Sequence, residues 1–271
     1  MKRKRLRRAG FYLLLLIVLM IIAFPFVYMT LSSFKQNVDL FNLDKTFIFK
    51  PTLQNYKDVF VRYNFINPLK NTTIVTVSAT LISLLFGVPA AYVIARFGMT
   101  VMSTVILAIR IIPFISFLVP WYQIFSKIGL TGTYTSLILC HMIIGLPYII
   151  WIMIPYFEKL PQEIVESAII DGCYYYEAFL RIMLPLSIPG IITSTILVFI
   201  ASWNNFIFGL ILGTGNTQPL PIAIFSFISY TEVNWGGLMA ASVVVTIPII
   251  IVTLILQRHI IAGLTAGAVK G

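Results

Sequence analysis

Acidic residues are scarce in this chain. Nine Asp and Glu stand against nineteen Lys and Arg in 271 residues, and none of the nine falls inside a long apolar run. A carrier driven by protons or sodium places an ionisable acid at membrane depth to hold the coupling ion, so the shortage counts against that class. Only two cysteines occur, Cys140 and Cys173, far apart and away from any paired histidine. That spacing gives no metal site and no disulfide. Phosphate-binding P-loops, zinc-protease helices and serine nucleophile elbows are missing too, so no catalytic residue is assigned. Energy for any work must come from another chain.

What is abundant is apolar: 59% of the residues are hydrophobic and 10% charged, with a mean hydropathy of +0.96. A water-soluble fold cannot bury that much apolar surface. The formal net charge of +10 could point to nucleic acid, yet six of the nineteen basic residues crowd the first eight positions, directly before an apolar run. That placement reads as membrane orientation, and a lipid membrane rather than nucleic acid is the expected partner. The run at 11–30 is longer than the ~7 to 15 residues of a cleaved signal core, and it is read as a retained first span.

Crossing the hydrocarbon takes about 20 mainly apolar residues, and residues 11–33, 72–95, 101–125, 134–157, 188–212 and 238–256 meet that test. The expected fold is an all-α integral membrane domain of six transmembrane helices over 1–271, with both termini on the same side. A cytoplasmic N-terminus puts eleven Lys and Arg inside and seven outside, six of the seven in the loop 34–71. The bias favours that orientation. Prolines interrupt most spans, and neighbouring helices are expected to satisfy the freed backbone groups.

Within the spans, Arg110 is the one charged residue, placed about nine residues into the third and needing a partner or a water-filled path. Trp203, Asn204 and Asn205 in the fifth span are candidates to border a pathway, since an amide offers both a donor and an acceptor to hydroxyl groups. His141 is expected to be a packed, hydrogen-bonded helix residue.

The inner segment 158–187 is too polar to span and too regular for a linker. Pro161 suits a first helical turn, Glu163 and Glu166 suit its positive end, and Gly172 suits a left-handed stop. Ile164, Val165, Ala168 and Ile169 share one face, with Glu163, Glu166 and Ile170 opposite. A second helix is expected from Cys173 to about Leu184, offering Tyr175, Phe179, Ile182 and Met183 for packing and ended by Pro185. Acidic helices of this kind suit a soluble partner better than anionic lipid.

Here a resemblance becomes specific. Glu166-Ser167-Ala168, Asp171-Gly172 and Ile182-x-Leu184-Pro185 resemble the E-A-A...G...I-x-L-P loop of permeases in ATP-binding-cassette importers. The C-terminal run from Gln257 to Gly271, with Gly263-Leu264-Thr265 and Gly267-Ala268-Val269-Lys270, is similar to the tail of the carbohydrate branch, in subunits resembling the smaller maltose permease. Arg110-x-x-Pro113 and Trp203-Asn204-x-Phe206 fit the same branch.

The resemblance implies the type I importer permease fold in a bacterial inner membrane, with both termini cytoplasmic. It implies a second, different permease, two ATP-binding subunits that hold ATP and Mg, and an extracellular or periplasmic sugar-binding protein. No cofactor is expected on this chain. Glu166, Ala168, Asp171, Gly172, Phe179, Leu184 and Pro185 would couple to the ATPase. Gln257, Gly263, Gly267 and Lys270 would contact it from the tail 257–271, whose glycines permit an extended path. Gly213, Gly215, Asn216 and Pro219 would meet the binding protein. The cargo would be an oligosaccharide or a related polyol or sugar ester. The competing classes, a membrane-embedded enzyme or a stand-alone carrier, would need His clusters beside the inner acids, or transport without an ATPase.

Overall fold

The structure is a computed structural model that describes residues 2–229 and 232–265; at 2, 3, 5, 6 and 257–265 it describes backbone alone. The helices are α1 (Lys2–Ser33), α2 (Ile66–Arg96), α3 (Thr100–Ile111), α4 (Phe114–Lys127), α5 (Tyr134–Glu158), α6 (Gln162–Ile170), α7 (Tyr175–Leu186), α8 (Ile188–Trp203), α9 (Ile207–Leu212) and α10 (Trp235–Thr265). Between them run single helical turns, and one isolated antiparallel bridge joins Ile228 to Val233. Among the described residues, four helices are long and apolar enough to cross a membrane, or up to six if the bent pairs α3–α4 and α7–α8 each make one span.

Two spans differ from the sequence expectation. Residues 101–125 do not form one helix: α3 and α4 meet at a bend of 85°. Pro113 lacks an N–H and forces the residue before it out of the helical region, and Ile112 is extended at φ −70°, ψ 122°. Residues 188–212 also divide. α8 stops at Trp203, and α9 starts afresh where the Asn205 side-chain carbonyl accepts from the Phe208 N–H at 3.2 Å. Pro185 does not end α7, which runs on to Leu186 after a π-turn at Phe179–Met183. The wider turn accommodates the missing donor. α7 and α8 then meet at 73° across the buried Ser187. The Ser187 N–H bonds to the carbonyls of Met183 and Leu184, both at 3.1 Å, and its hydroxyl to that of Met183 at 2.8 Å.

The chain divides into two compact units, residues 1–66 with 224–247 and residues 67–223 with 248–271. In the first, the loop after α1 is fastened rather than free. The Asn55 amide donates to the carbonyls of Ser33 and Lys35 at 2.8 and 2.7 Å, and the buried Lys35 ammonium donates to the Thr46 carbonyl at 2.8 Å between the rings of Tyr28 and Phe49. Phe227 packs on Tyr63 and Phe65.

In the second unit α2, α5 and α8 supply the core. One cluster joins Val88, Ala91, Tyr92, Ile149, Met153, Phe157 and Val198 to the buried Val165, Ala168, Ala178 and Met183 of the 158–187 segment. A second joins Val75, Leu118, Phe125, Leu137, Cys140, Phe208 and Leu212. Thr72, Thr76, Thr80 and Ser83 form a buried stripe along α2 at helical spacing. Small polar side chains let helices approach closely in lipid.

Candidate functional site

The 158–187 segment folds as two helices around a glycine. α6 begins after Pro161, which serves as the N-cap rather than the first helical residue. It ends in a Schellman motif, the Cys173 N–H bonding the Ala168 carbonyl at 2.9 Å and the Gly172 N–H that of Ile169 at 3.0 Å. Gly172 takes φ +93°, and a Cβ there would meet nothing within 4 Å. Backbone conformation alone therefore selects glycine.

The two faces of α6 separate as the periodicity predicts. Val165 and Ala168 are buried and Ile164 and Ile169 half-buried, while Glu163, Glu166 and Ile170 are exposed. Burial of Ala168 makes it a fastening of the segment to its own core, not a contact surface. On α7 the expected packing of Tyr175 is absent: it is exposed, and Ala178 is the residue buried in its stead. Phe179, Ile182 and Leu184 are half-buried, whereas Asp171 and Pro185 are exposed. Ile170, Tyr174, Tyr175 and Tyr176 stand 84, 70, 63 and 64% exposed beside Glu163 and Glu166. An apolar, aromatic and acidic surface of this kind suits a protein partner.

Residues that the sequence did not single out hold this knob in place. Tyr92 of α2 contacts Phe157 and Phe179 with ring centroids 5.4 and 4.9 Å apart, and Arg96, the last residue of α2, reaches Glu166 at 3.7 Å. The Tyr92-x-x-x-Arg96 spacing places both on one helical face, and that was the available signal. Glu177 accepts from the Tyr174 N–H at 3.0 Å and so fixes the start of α7, with Arg181 at 3.5 Å from its carboxylate.

The pathway candidates divide. Arg110 finds its partner in aromatic rings: its guanidinium lies 4.3 Å from the centroids of both Tyr148 and Trp151. Such stacking satisfies a cation without a carboxylate. Tyr148 also lines a small cavity with His141, Ser202 and Asn205, so Arg110 and Asn205 come to the same region. Asn204 is exposed beside it. Trp203 departs from expectation, being 1% exposed and stacked on Phe199, so its ring is committed to the interior. His141 is buried and hydrogen-bonded to the Ser202 hydroxyl, as expected.

The turn 213–219 is tied down at its base. Asn71 donates to the carbonyls of Asn216 and Gln218, both at 3.0 Å, and accepts from the Tyr134 hydroxyl at 2.7 Å. The Leu220 N–H bonds Thr72 Oγ1 at 2.7 Å, and Thr217 Oγ1 donates to the Gly132 carbonyl at 3.1 Å. Pro219 is buried against Gly209, where a Cβ would stand 2.1 Å from its ring, so it anchors the turn instead of presenting it. Gly215 and Asn216 are exposed and Gly213 half-exposed. In the tail, α10 continues as helix to Thr265, which places Gln257 and Gly263 on helical backbone rather than an extended path. Gly267 and Lys270 lie outside the described residues.

Residues 83–265 match the family model described as "binding-protein-dependent transport system inner membrane component". The chain is 34% identical to the trehalose/maltose transport system permease protein MalG of Thermococcus litoralis over the full length of both. It is 37% identical to the trehalose transport system permease protein SugB of Mycobacterium tuberculosis, covering 81% of this chain and 82% of that one. Among solved structures, a chain of a bacterial importer of the acidic polysaccharide alginate superposes with a TM-score of 0.81 at 22% identity, covering 96% of this chain and 98% of that one.

Proposed function

The chain belongs to the inner membrane components of binding-protein-dependent transport systems, permeases that leave ATP hydrolysis to separate chains, and we propose that it forms half of the pathway of a carbohydrate importer. In this reading the N-terminus is cytoplasmic, and the 158–187 knob docks on an ATPase subunit that holds ATP and magnesium. A second, different permease completes the pathway, and a sugar-binding protein engages the exposed tip at Gly215 and Asn216. The trehalose and maltose named for the relatives support a saccharide cargo. Arg110, Asn204 and Asn205 are its candidate contacts.

The observation that carries the reading is the knob. Two short helices are rooted by Val165, Ala168, Ala178 and Met183, with Gly172 at the reversal and Glu166, Ile170 and the three tyrosines left outward. A rigid base with an exposed apolar and acidic surface is what transmitting a partner's movement requires.

The test is Glu166→Ala in the complete transporter reconstituted in liposomes. A charge-assisted contact contributes about 1.5 to 3 kcal/mol, so ATP hydrolysis stimulated by binding protein and sugar uptake should fall together by about tenfold or more. The chain itself should reach the membrane in normal amount. Full retention of both activities would remove the knob from the coupling role.

A further inference from the structure

The knob does not meet the ends of α2 and α5 through apolar contact alone. Tyr92, Arg96, Glu158 and Gln162 line a small polar pocket closed by Val165 and Met183. Two polar atoms buried in these residues, the Tyr92 hydroxyl and Arg96 Nη1, lack hydrogen-bond partners. The other terminal nitrogen, Nη2, faces Glu166 Oε1 at 3.7 Å, longer than a hydrogen bond. The arginine side chain is 15% exposed and the glutamate 58%. One end of the guanidinium is thus enclosed and under-satisfied, while the other reaches a carboxylate that is still mostly open to a partner.

We infer that Arg96 is a positioning residue for coupling: it orients Glu166, and with it α6, toward the docking partner from the end of α2. Three features support this assignment. The position at the C-terminus of a long helix favours a cation, because the carbonyl ends there carry partial negative charge. Enclosure of this end among Tyr92, Glu158 and Gln162 confines the side chain by packing, so the guanidinium direction is set by the core and not by solvent. The loose 3.7 Å separation orients the carboxylate without saturating it, since a carboxylate accepts several bonds. A pair at 3.7 Å with its carboxylate mostly open to solvent contributes little stability, so the consequence falls on geometry.

A second consequence follows for motion. A small displacement of α6 away from α2 would break the 3.7 Å Glu166 contact and leave the guanidinium in the pocket that Glu158 also lines. Arg96 therefore registers whether the knob is seated. Movement of the docking partner would reach α2 through this contact as well as through the aromatic packing of Tyr92 on Phe179.

This inference rests on the reading of the knob as the coupling element, and the test separates the two. In the reconstituted full transporter, the readout is the ratio of binding-protein-stimulated to basal ATP hydrolysis per assembled complex, which loss of assembly alone does not move. Arg96→Gln should lower that ratio about fivefold, and Arg96→Lys should recover at least half of the loss. In a Glu166→Gln background, Arg96→Gln should have no further effect. If Glu166→Gln alone leaves coupling intact, the coupling reading fails. If Glu166→Gln impairs coupling but Arg96→Gln is silent or its effect multiplies with the other, the positioning role is overturned. Should Arg96→Gln not assemble, Arg96→Lys carries the same cycle: a loss that vanishes in the Glu166→Gln background supports the role, and no loss or a multiplying one sinks it.

Discussion

The knob at 162–186 and the turn at 213–219 are both connectors between membrane helices, yet they are fastened by different chemistry. The knob is rooted by side-chain burial, with Val165, Ala168, Ala178 and Met183 inside the core of α2, α5 and α8. The turn is rooted by hydrogen bonds from Asn71, Thr72 and Thr217, with Pro219 wedged on Gly209. A segment held by apolar packing can tilt as a body, because such contacts are non-directional. One held by directional bonds keeps its shape or lets go. The first suits transmission of movement and the second suits a fixed contact surface.

The largest expected effect tests the rigidity of the knob. Gly172→Val forces a β-branched residue to φ +93°, a strain of about 1 to 3 kcal/mol. Stimulated hydrolysis and uptake should both be lost at normal membrane abundance. Gly172→Asn should retain most activity, since asparagine tolerates this region and the site has room for a side chain. Equal loss in both variants would show that space, not backbone conformation, is limiting.

A smaller effect is expected at the turn. Asn71→Ala leaves the Asn216 and Gln218 carbonyls and the Tyr134 hydroxyl without their present partner, at about 1 to 3 kcal/mol. Thermal unfolding of the purified complex should occur at lower temperature, while basal hydrolysis stays unchanged. Loss of coupling without loss of stability would erase the distinction between the two connectors. The smallest effect belongs to Glu177→Ala, which removes the bond to the Tyr174 N–H and a pair with the exposed Arg181. Such a pair contributes below about 1 kcal/mol, and uptake should fall by less than threefold.

The same contrast decides what the sequence discloses. Knob geometry is legible because burial leaves a periodic trace: Ile164, Val165, Ala168 and Ile169 recur at helical spacing, and Gly172 stands where the pattern stops. The turn leaves no such trace, since its hold comes from Asn71 and Thr72, more than a hundred residues away in the chain. Only a turn composition is visible, and the resemblance that groups Pro219 with the tip does not disclose that it is an anchor. The break at Pro113 was hidden for a related reason. A window of about 20 apolar residues measures length and not direction, so 101–125 reads as one span whether straight or bent. Trp203 shows the limit at the candidate site, where the motif is legible but not the side of the helix on which the ring is buried.

The elbow at Ser187 fixes a mechanical ratio. Its bonds to Met183 and Leu184 and its burial make it a stiff corner rather than a swivel, so α7 and α8 turn together as one bent rod. At the helical rise, α7 measures ~18 Å and the 16 residues of α8 ~24 Å. A rotation of this rod about its corner that moves the start of α7 by ~1 Å carries the far end of α8, beside Asn204 and Asn205, by ~1.3 Å. The gearing is close to one to one. Displacement at one end of this rod therefore reaches the other as a shift of similar size, sufficient to make or break a hydrogen bond and too small to open a wide gap without the other helices following.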